Sequence, residues 1–293
     1  MKNLDTKSLI SKIELGTVQF GLDYGINNGI KVSEIEAGRI INIFDFMDLT
    51  LDTSPAYGSS QYILSKLITS KNRVISKTLS LKNNRVMDVL KEIDRTCELF
   101  GSNLYGIMIH DTNDIRHADF DEVLFKLESI RNKGVKIGVS VYSPNQYYQY
   151  KENMNIDLVQ IPLNILDQRF DCEEFIGSTK DIEVHVRSIF LQGLLLMVER
   201  KIPQELRKVI PYINDIKEMA YKNNFNIYEL CLSYAFNKTW VDKVLIGLDS
   251  EHQASELIKG LEGMSENIID IDVRHLSIED ENIINPANWN YEN

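Results

Sequence analysis

The chain has 293 residues, of which 43% are hydrophobic and 26% charged, a balance that supports a packed core and excludes intrinsic disorder. Lys and Arg number 32 against 43 Asp and Glu, a net charge of −11, so neither nucleic acid nor an anionic membrane is expected as a partner. No run of eighteen apolar residues occurs, as a membrane-spanning helix would require.

Short apolar runs alternate with longer amphipathic stretches. Ile13–Val18 reads as a strand and leads into a loop carrying Gly21, Gly25 and Gly29. Ser33 and Glu36 have capping-box spacing ahead of a helix over Ala37–Phe46. A strand over Asp48–Asp52, a helix over Gly58–Ile68 and a strand over Arg73–Lys77 follow. Val86, Val89, Leu90 and Ile93 share one face of a helix over Val86–Leu99. Next come a strand over Leu104–His110, a helix over Phe120–Arg131 stopped near Gly134, and a strand over Val135–Val141 apolar enough for burial on both faces. Pro144 opens a helix, and Asp157–Ile161 and Val184–Phe190 are strands. Glu205–Tyr221 and Ile227–Phe236 are helices, Val244–Gly247 is a strand, and Ala254–Leu261 a helix.

Eight strands thus alternate with helices, and no linker or composition break divides residues 1–293, so one domain is expected. A (β/α)8 barrel of the TIM type needs about 250 residues. The rival, a doubly wound open sheet, would want GxGxxG at its first strand–helix turn. The turn here is Gly16-Thr17-Val18-Gln19-Phe20-Gly21, which lacks that spacing. The expected fold is therefore a single α/β TIM barrel with a short C-terminal appendage from about Ile269, packed on the barrel or partly mobile.

Cys97, Cys172 and Cys231 are widely spaced, form no CxxC and have no His at ligand spacing. No metal site is expected, and a reducing, cytoplasmic location fits. Met1–Lys12 is mixed and polar, unlike a signal peptide. Cys97 and Cys231 read as buried helix positions, and His117, His252 and His275 as surface residues. His185 reads as a satisfied core or interface group. Tyr147, Tyr148 and Tyr150 read as helix packing, with a sugar-binding wall as the alternative.

Chemistry in such a barrel sits at the C-terminal strand ends. There the chain places Asp52, Lys77 and His110, with Tyr57 on the loop after Asp52. Each has a plain structural reading: a turn cap, a snorkelling lysine, a structural histidine, a packing tyrosine. Three charged or titratable strand ends in succession favour a shared role. A Lys ammonium beside a Tyr favours the phenolate and would make the phenol a proton donor near neutrality. Asp52 would hold Lys77 charged, and His110 would orient a carbonyl oxygen. Such a set suits protonation of an alkoxide as a hydride reaches carbon, and the hydride needs a cofactor. Another barrel chemistry, with Lys77 as a Schiff base, is the competing use of these residues.

At these residues the chain resembles the aldo-keto reductase superfamily. The resemblance covers Ile13 to Leu261 and rests on Leu15-Gly16-Thr17-Val18-Gln19-Phe20-Gly21, on Asp52-Thr53-Ser54-Pro55-Ala56-Tyr57-Gly58, on Ser76-Lys77 and on Ile109-His110-Asp111. It implies a catalytic tetrad of Asp52, Tyr57, Lys77 and His110, with Tyr57 as general acid. It further implies that Ser140 and Gln160 bind the nicotinamide carboxamide, although Val141 replaces the usual Asn. The seventh strand usually supplies a stacking Tyr; Arg187 stands there, able to stack by its planar face, to bind an acidic substrate group, or to form a structural ion pair. The stretch Val244 to Gln253 resembles the pyrophosphate and adenosine segment, placing Gly247, Asp249 and Gln253 at the cofactor. NADPH is the cofactor the resemblance implies. NADH competes, because Asp249 and Glu251 stand where many relatives carry a cation for the 2′-phosphate.

The function expected from the resemblance is NAD(P)H-dependent reduction of an aldehyde or ketone. The small carbonyl substrate could be a keto-sugar or sugar-nucleotide, since short loops suggest an open site. A cofactor-binding regulatory or scaffold protein without turnover is the alternative. Both a monomer and a homodimer are compatible with the sequence.

Overall fold

Strands β1 (Ile13–Gly16), β2 (Thr50–Asp52), β3 (Arg73–Lys77), β4 (Leu104–Ile109), β5 (Lys136–Ser140), β6 (Leu158–Pro162), β7 (Glu183–Arg187) and β8 (Lys243–Gly247) form a closed parallel barrel in sequence order. The structure, a computed structural model, describes residues 6–26, 29–266 and 271–289. Pairing of β1 with both β2 and β8 closes the barrel, with Gly16 opposite Asp52 on one side and Gly247 on the other. The helices are α1 (Thr6–Ser11), α2 (Val18–Gly21), α3 (Glu34–Ile43), α4 (Ser60–Leu67), α5 (Val86–Phe100), α6 (Phe120–Arg131), α7 (Pro144–Asn153), α8 (Glu173–Ser178), α9 (Ile210–Lys222), α10 (Ile227–Phe236), α11 (Glu251–Glu266) and α12 (Glu281–Ile284). The expected TIM barrel is thus what the chain forms. Its strands are apolar because the barrel interior and the helix layer bury both faces. None of the described helices is long and apolar enough to cross a membrane.

Several boundaries move for identifiable reasons. The first strand stops at Gly16 because Val18–Gly21 forms a helical turn. The third helix starts at Glu34, with Ser33 accepting the Glu36 N–H, and ends at Ile43. Only half of the expected capping box forms, since the Glu36 carboxylate is used elsewhere. The seventh strand stops at Arg187 because Ser188 (φ 63°), Leu191 (φ 51°) and Gln192 (φ 53°) take left-handed conformations that no strand continues. Gln204–Val209 is 3-10 helix and α9 begins only at Ile210, where Pro211 suits a first turn and not an interior. Helices α1, α2, α8 and α12 carry no clear apolar periodicity over so few residues.

Tyr147 and Tyr150 are fully buried, and their hydroxyls donate to Ser178 O (3.3 Å) and Asp111 O (3.2 Å). They pack, as does Cys231, whereas Cys97 is half-buried. His185 lies inside the barrel with Nδ1 2.6 Å from Glu14 Oε2, neither residue having any exposed surface. The described part of the C-terminal appendage packs: Leu276, Ile283 and Ile284 are buried, and Ile278 N–H donates to Leu166 O (2.9 Å). Ile269 and Tyr291 lie outside the described residues.

Candidate active site

The strand ends converge on one cleft. Asp52, Lys77, Ser140, Arg187 and Gly247 are the last residues of β2, β3, β5, β7 and β8, and His110 follows β4 directly. All six, with Tyr57 and Gln160, line a cavity of about 700 Å³, a volume typical of a small-molecule site. Asp249 and Gln253 line the same cleft at the start of α11, so each residue expected in the tetrad or at the cofactor faces it, whereas Glu251, Tyr147, Tyr148 and Tyr150 do not line it.

Lys77 Nζ lies 2.5 Å from both carboxylate oxygens of Asp52 and donates to the Tyr57 hydroxyl at 3.3 Å. Lys77 and Asp52 are 3% and 1% exposed, so the ammonium is held by its partners and does not snorkel. Burial alone would pull the Lys77 pKa down, but Asp52 and Tyr57 outweigh it and hold the pKa above the ordinary lysine value. Such a lysine is a permanent cation, the opposite of what a Schiff-base nucleophile needs.

Tyr57 departs from the expected pKa pattern. Lys77 does pull it down, but burial is the larger effect and leaves the phenol above its ordinary value. Tyr57 is therefore a neutral phenol at neutrality. Lys77 has no acceptor, so the Tyr57 proton is left for an acceptor in the cleft. The imidazole of His110 stands edge-on to the Tyr57 ring, centroids 5.9 Å apart. Burial first, then Lys77 and Arg187, lower its pKa to about 3. Its Nδ1 faces Ser54 Oγ at 3.5 Å.

Gln160 has two side-chain partners that the sequence did not announce. Its Nε2 donates to Asp52 Oδ2 (2.9 Å), and its Oε1 accepts from Ser140 Oγ (3.2 Å). Ser140 and Gln160 are thereby wired to the Asp52–Lys77 pair. Arg187 is half-buried and lies over the Tyr142 ring at 4.3 Å. It donates to Val141 O (3.1 Å) and Ser188 Oγ (3.4 Å). Among the described residues it forms no salt bridge, so the structural ion-pair reading of Arg187 does not hold. Gln253 Oε1 accepts the Asp249 N–H (2.9 Å), pinning the loop after β8.

Other lining residues escaped the sequence reading. Gln19 lies in α2, 8% exposed, with its Oε1 unpartnered. A Cβ on Gly247 would fall 2.2 Å from Gln19 Nε2, so glycine there lets the amide in. Phe190 and Tyr228 stack in parallel, centroids 5.1 Å apart. Gln192 Nε2 donates to the Tyr24 hydroxyl (2.9 Å) across the cleft. Exposed His252 and the rim residues Pro286 and Ala287 complete the wall. Gln19, Tyr228 and His252 sit on helices and the others on irregular segments or a single helical turn, and at none of them does residue type alone tell which side faces the cleft.

Residues 12–266 match the model of the Aldo/keto reductase family. No curated protein matches the chain. Among solved structures, the holo form of aldo-keto reductase AKR11C1 from Bacillus halodurans superposes with a TM-score of 0.70 at 17% identity, covering 95% of this chain and 95% of that one. The glycerol dehydrogenase AKR11B4 from Gluconobacter oxydans gives 0.64 at 17% identity, covering 88% and 90%. At such identities the superpositions show the shared barrel. The family-model match covers the barrel from the residue before β1 to the end of α11, and the strand-end residues that suggested the family all fall within it: the chain belongs to the aldo/keto reductase family.

Proposed function

We propose that the protein reduces an aldehyde or ketone to the alcohol, with Tyr57 as the proton donor and a nicotinamide cofactor in the cleft. The observation that carries this reading is the chain of contacts from Asp52 through Lys77 to the Tyr57 hydroxyl. The residues present fit the cofactor: Ser140 and Gln160 offer polar atoms at one end, and the unpartnered Gln19 Oε1 awaits a donor further along. A bound reduced nicotinamide supplies the hydride to the carbonyl carbon. Asp52 keeps Lys77 charged, and Lys77 orients the Tyr57 hydroxyl so that its proton points into the cleft. As negative charge grows on the carbonyl oxygen, Tyr57 gives up that proton, and the adjacent ammonium stabilises the phenolate left behind. With Ser54 donating to His110 Nδ1, the neutral imidazole presents Nε2–H to the same oxygen.

The cleft is lined by polar and aromatic groups together, which suits a polyhydroxylated carbonyl compound such as a keto-sugar. Replacing Tyr57 by Phe removes the proton donor and keeps the ring. Turnover of reduced cofactor with a carbonyl panel should fall at least ~100-fold, while calorimetric binding of the cofactor persists. Undiminished turnover in Tyr57→Phe would overturn the mechanism. Tight cofactor binding by the wild type with no turnover of any carbonyl would favour a regulatory, non-catalytic role.

A further inference from the structure

We propose that the far arm of the cleft selects NADH against NADPH, with Glu36 and Asp249 as the residues that set the preference. The proposal rests on the nicotinamide reading above. The reacting ring must lie at Tyr57 and Lys77, so the rest of a dinucleotide has to follow the cleft away from them. That path runs past Gly247 to Asp249, His252, Gln253 and Glu256. Among the described residues that line the cleft, Lys77 and Arg187 are the only Lys or Arg, and both lie at the strand-end side near Tyr57.

The start of α11 would ordinarily attract a phosphate, because its first N–H groups are unpaired and its dipole is positive there. Here that end is already taken. Glu36 reaches across from α3, and its Oε1 accepts the Glu251 N–H at 2.7 Å, while its other oxygen is held by Arg39 at 3.3 Å. The carboxylate that fails to close its own helix's capping box thus caps a neighbouring helix. Asp249 stands half-buried at the same end, its loop fixed by Gln253. Next to it is the buried, unpartnered Oε1 of Gln19. Arg39 is held by Glu36, and among the described residues lining this arm the charged side chains are the carboxylates Asp249 and Glu256. Ribose hydroxyls bring donors to it, whereas a 2′-phosphate brings negative charge and no donor at neutral pH, against carboxylates at close range.

The test is calorimetric titration of the wild-type protein with NADH and with NADPH, repeated with 5′-AMP and adenosine 2′,5′-bisphosphate, which lack the nicotinamide. NADH should bind at least about tenfold tighter than NADPH, and the gap should narrow as salt screens the repulsion. Glu36→Gln keeps an acceptor for the Glu251 N–H but removes the charge, and Asp249→Asn does the same in the loop. Each should tighten NADPH several-fold, Asp249→Asn should in addition weaken NADH as its ribose hydroxyls lose a charged acceptor, and the fragment pair should follow the same order. NADPH binding as tightly as NADH, or tighter, overturns the proposal and leaves the reductase reading standing. A preference for NADH unmoved in both variants overturns the assignment to these residues. Failure of the folded protein to bind either dinucleotide overturns the reductase reading and the proposal with it.

Discussion

Gly21 and Gly58 meet backbone against backbone: a Cβ on Gly58 would lie 2.5 Å from the Gly21 carbonyl oxygen, and a Cβ on Gly21 only 1.7 Å from the carbonyl oxygen of Tyr57. Gly58 also takes a φ of 55°, which side chains with a Cβ resist. The loop that carries Tyr57 is therefore seated directly on α2. Gly21→Ala must push that loop away, and a displacement of about 1 Å at the reacting group costs on the order of 100-fold in rate. The expected result is a protein with near-normal circular dichroism, a melting temperature lowered by overpacking, and turnover lost in proportion to the displaced hydroxyl.

Lys77→Met leaves the buried Asp52 carboxylate with only the Gln160 amide as a side-chain donor. Removing one partner of a buried pair costs about 3–5 kcal/mol. Urea unfolding should show that loss. The double variant Asp52→Asn/Lys77→Met should recover part of it, because no uncompensated charge remains.

His110 should stay neutral throughout the working pH range. Its folded pKa of about 3 lies below the ordinary 6.5, so between those values the unfolded chain binds the extra proton. Its contribution to stability is full above pH 6.5 and is lost as pH falls toward 3. The imidazole signals of His110 in NMR should not titrate between pH 5 and 8, and the rate profile should show no limb near 6.5. Replacing Arg187 by Met removes one of the cations that lower this pKa and should raise it.

The pair of His185 and Glu14 has the opposite sign. Glu14 and Glu183 outweigh burial and raise the folded His185 pKa to about 9 from 6.5. Its stabilisation is full below pH 6.5 and disappears as pH rises through 9, a swing of about 3 kcal/mol at 1.36 kcal/mol per pH unit. Melting temperature measured from pH 6 to 10 should fall steeply in the wild type. In His185→Gln it should start lower and fall less.

The barrel and the clustering of the strand-end residues were legible because each rests on a strong local signal. The strands are apolar runs, and Asp52, Lys77 and His110 interrupt those runs at their ends. The tuning around them was not legible. That Gln160 would donate to Asp52, 108 positions away in sequence, depends on strand register across the barrel. That Glu36 would cap α11 and not its own helix depends on how α3 and α11 pack. The direction of the Tyr57 shift turned on burial, which outweighs the visible lysine. The sequence extends the seventh strand to Phe190, because Ile189 and Phe190 are apolar, and nothing in the side chains announces the left-handed backbone of Ser188, Leu191 and Gln192.

Lys12 and Ala287 stand in unequal relation to the cleft. Lys12, just before β1, donates to Phe236 O and Lys238 O at the floor of the barrel, on the side opposite the strand ends that form the cleft. Ala287 lines the cleft itself, and Trp289, the last described residue, is tied back by its Nε1–H to Ile283 O (3.1 Å). A bulkier side chain at Ala287 would therefore narrow the cleft, whereas a change at Lys12 would leave its walls untouched.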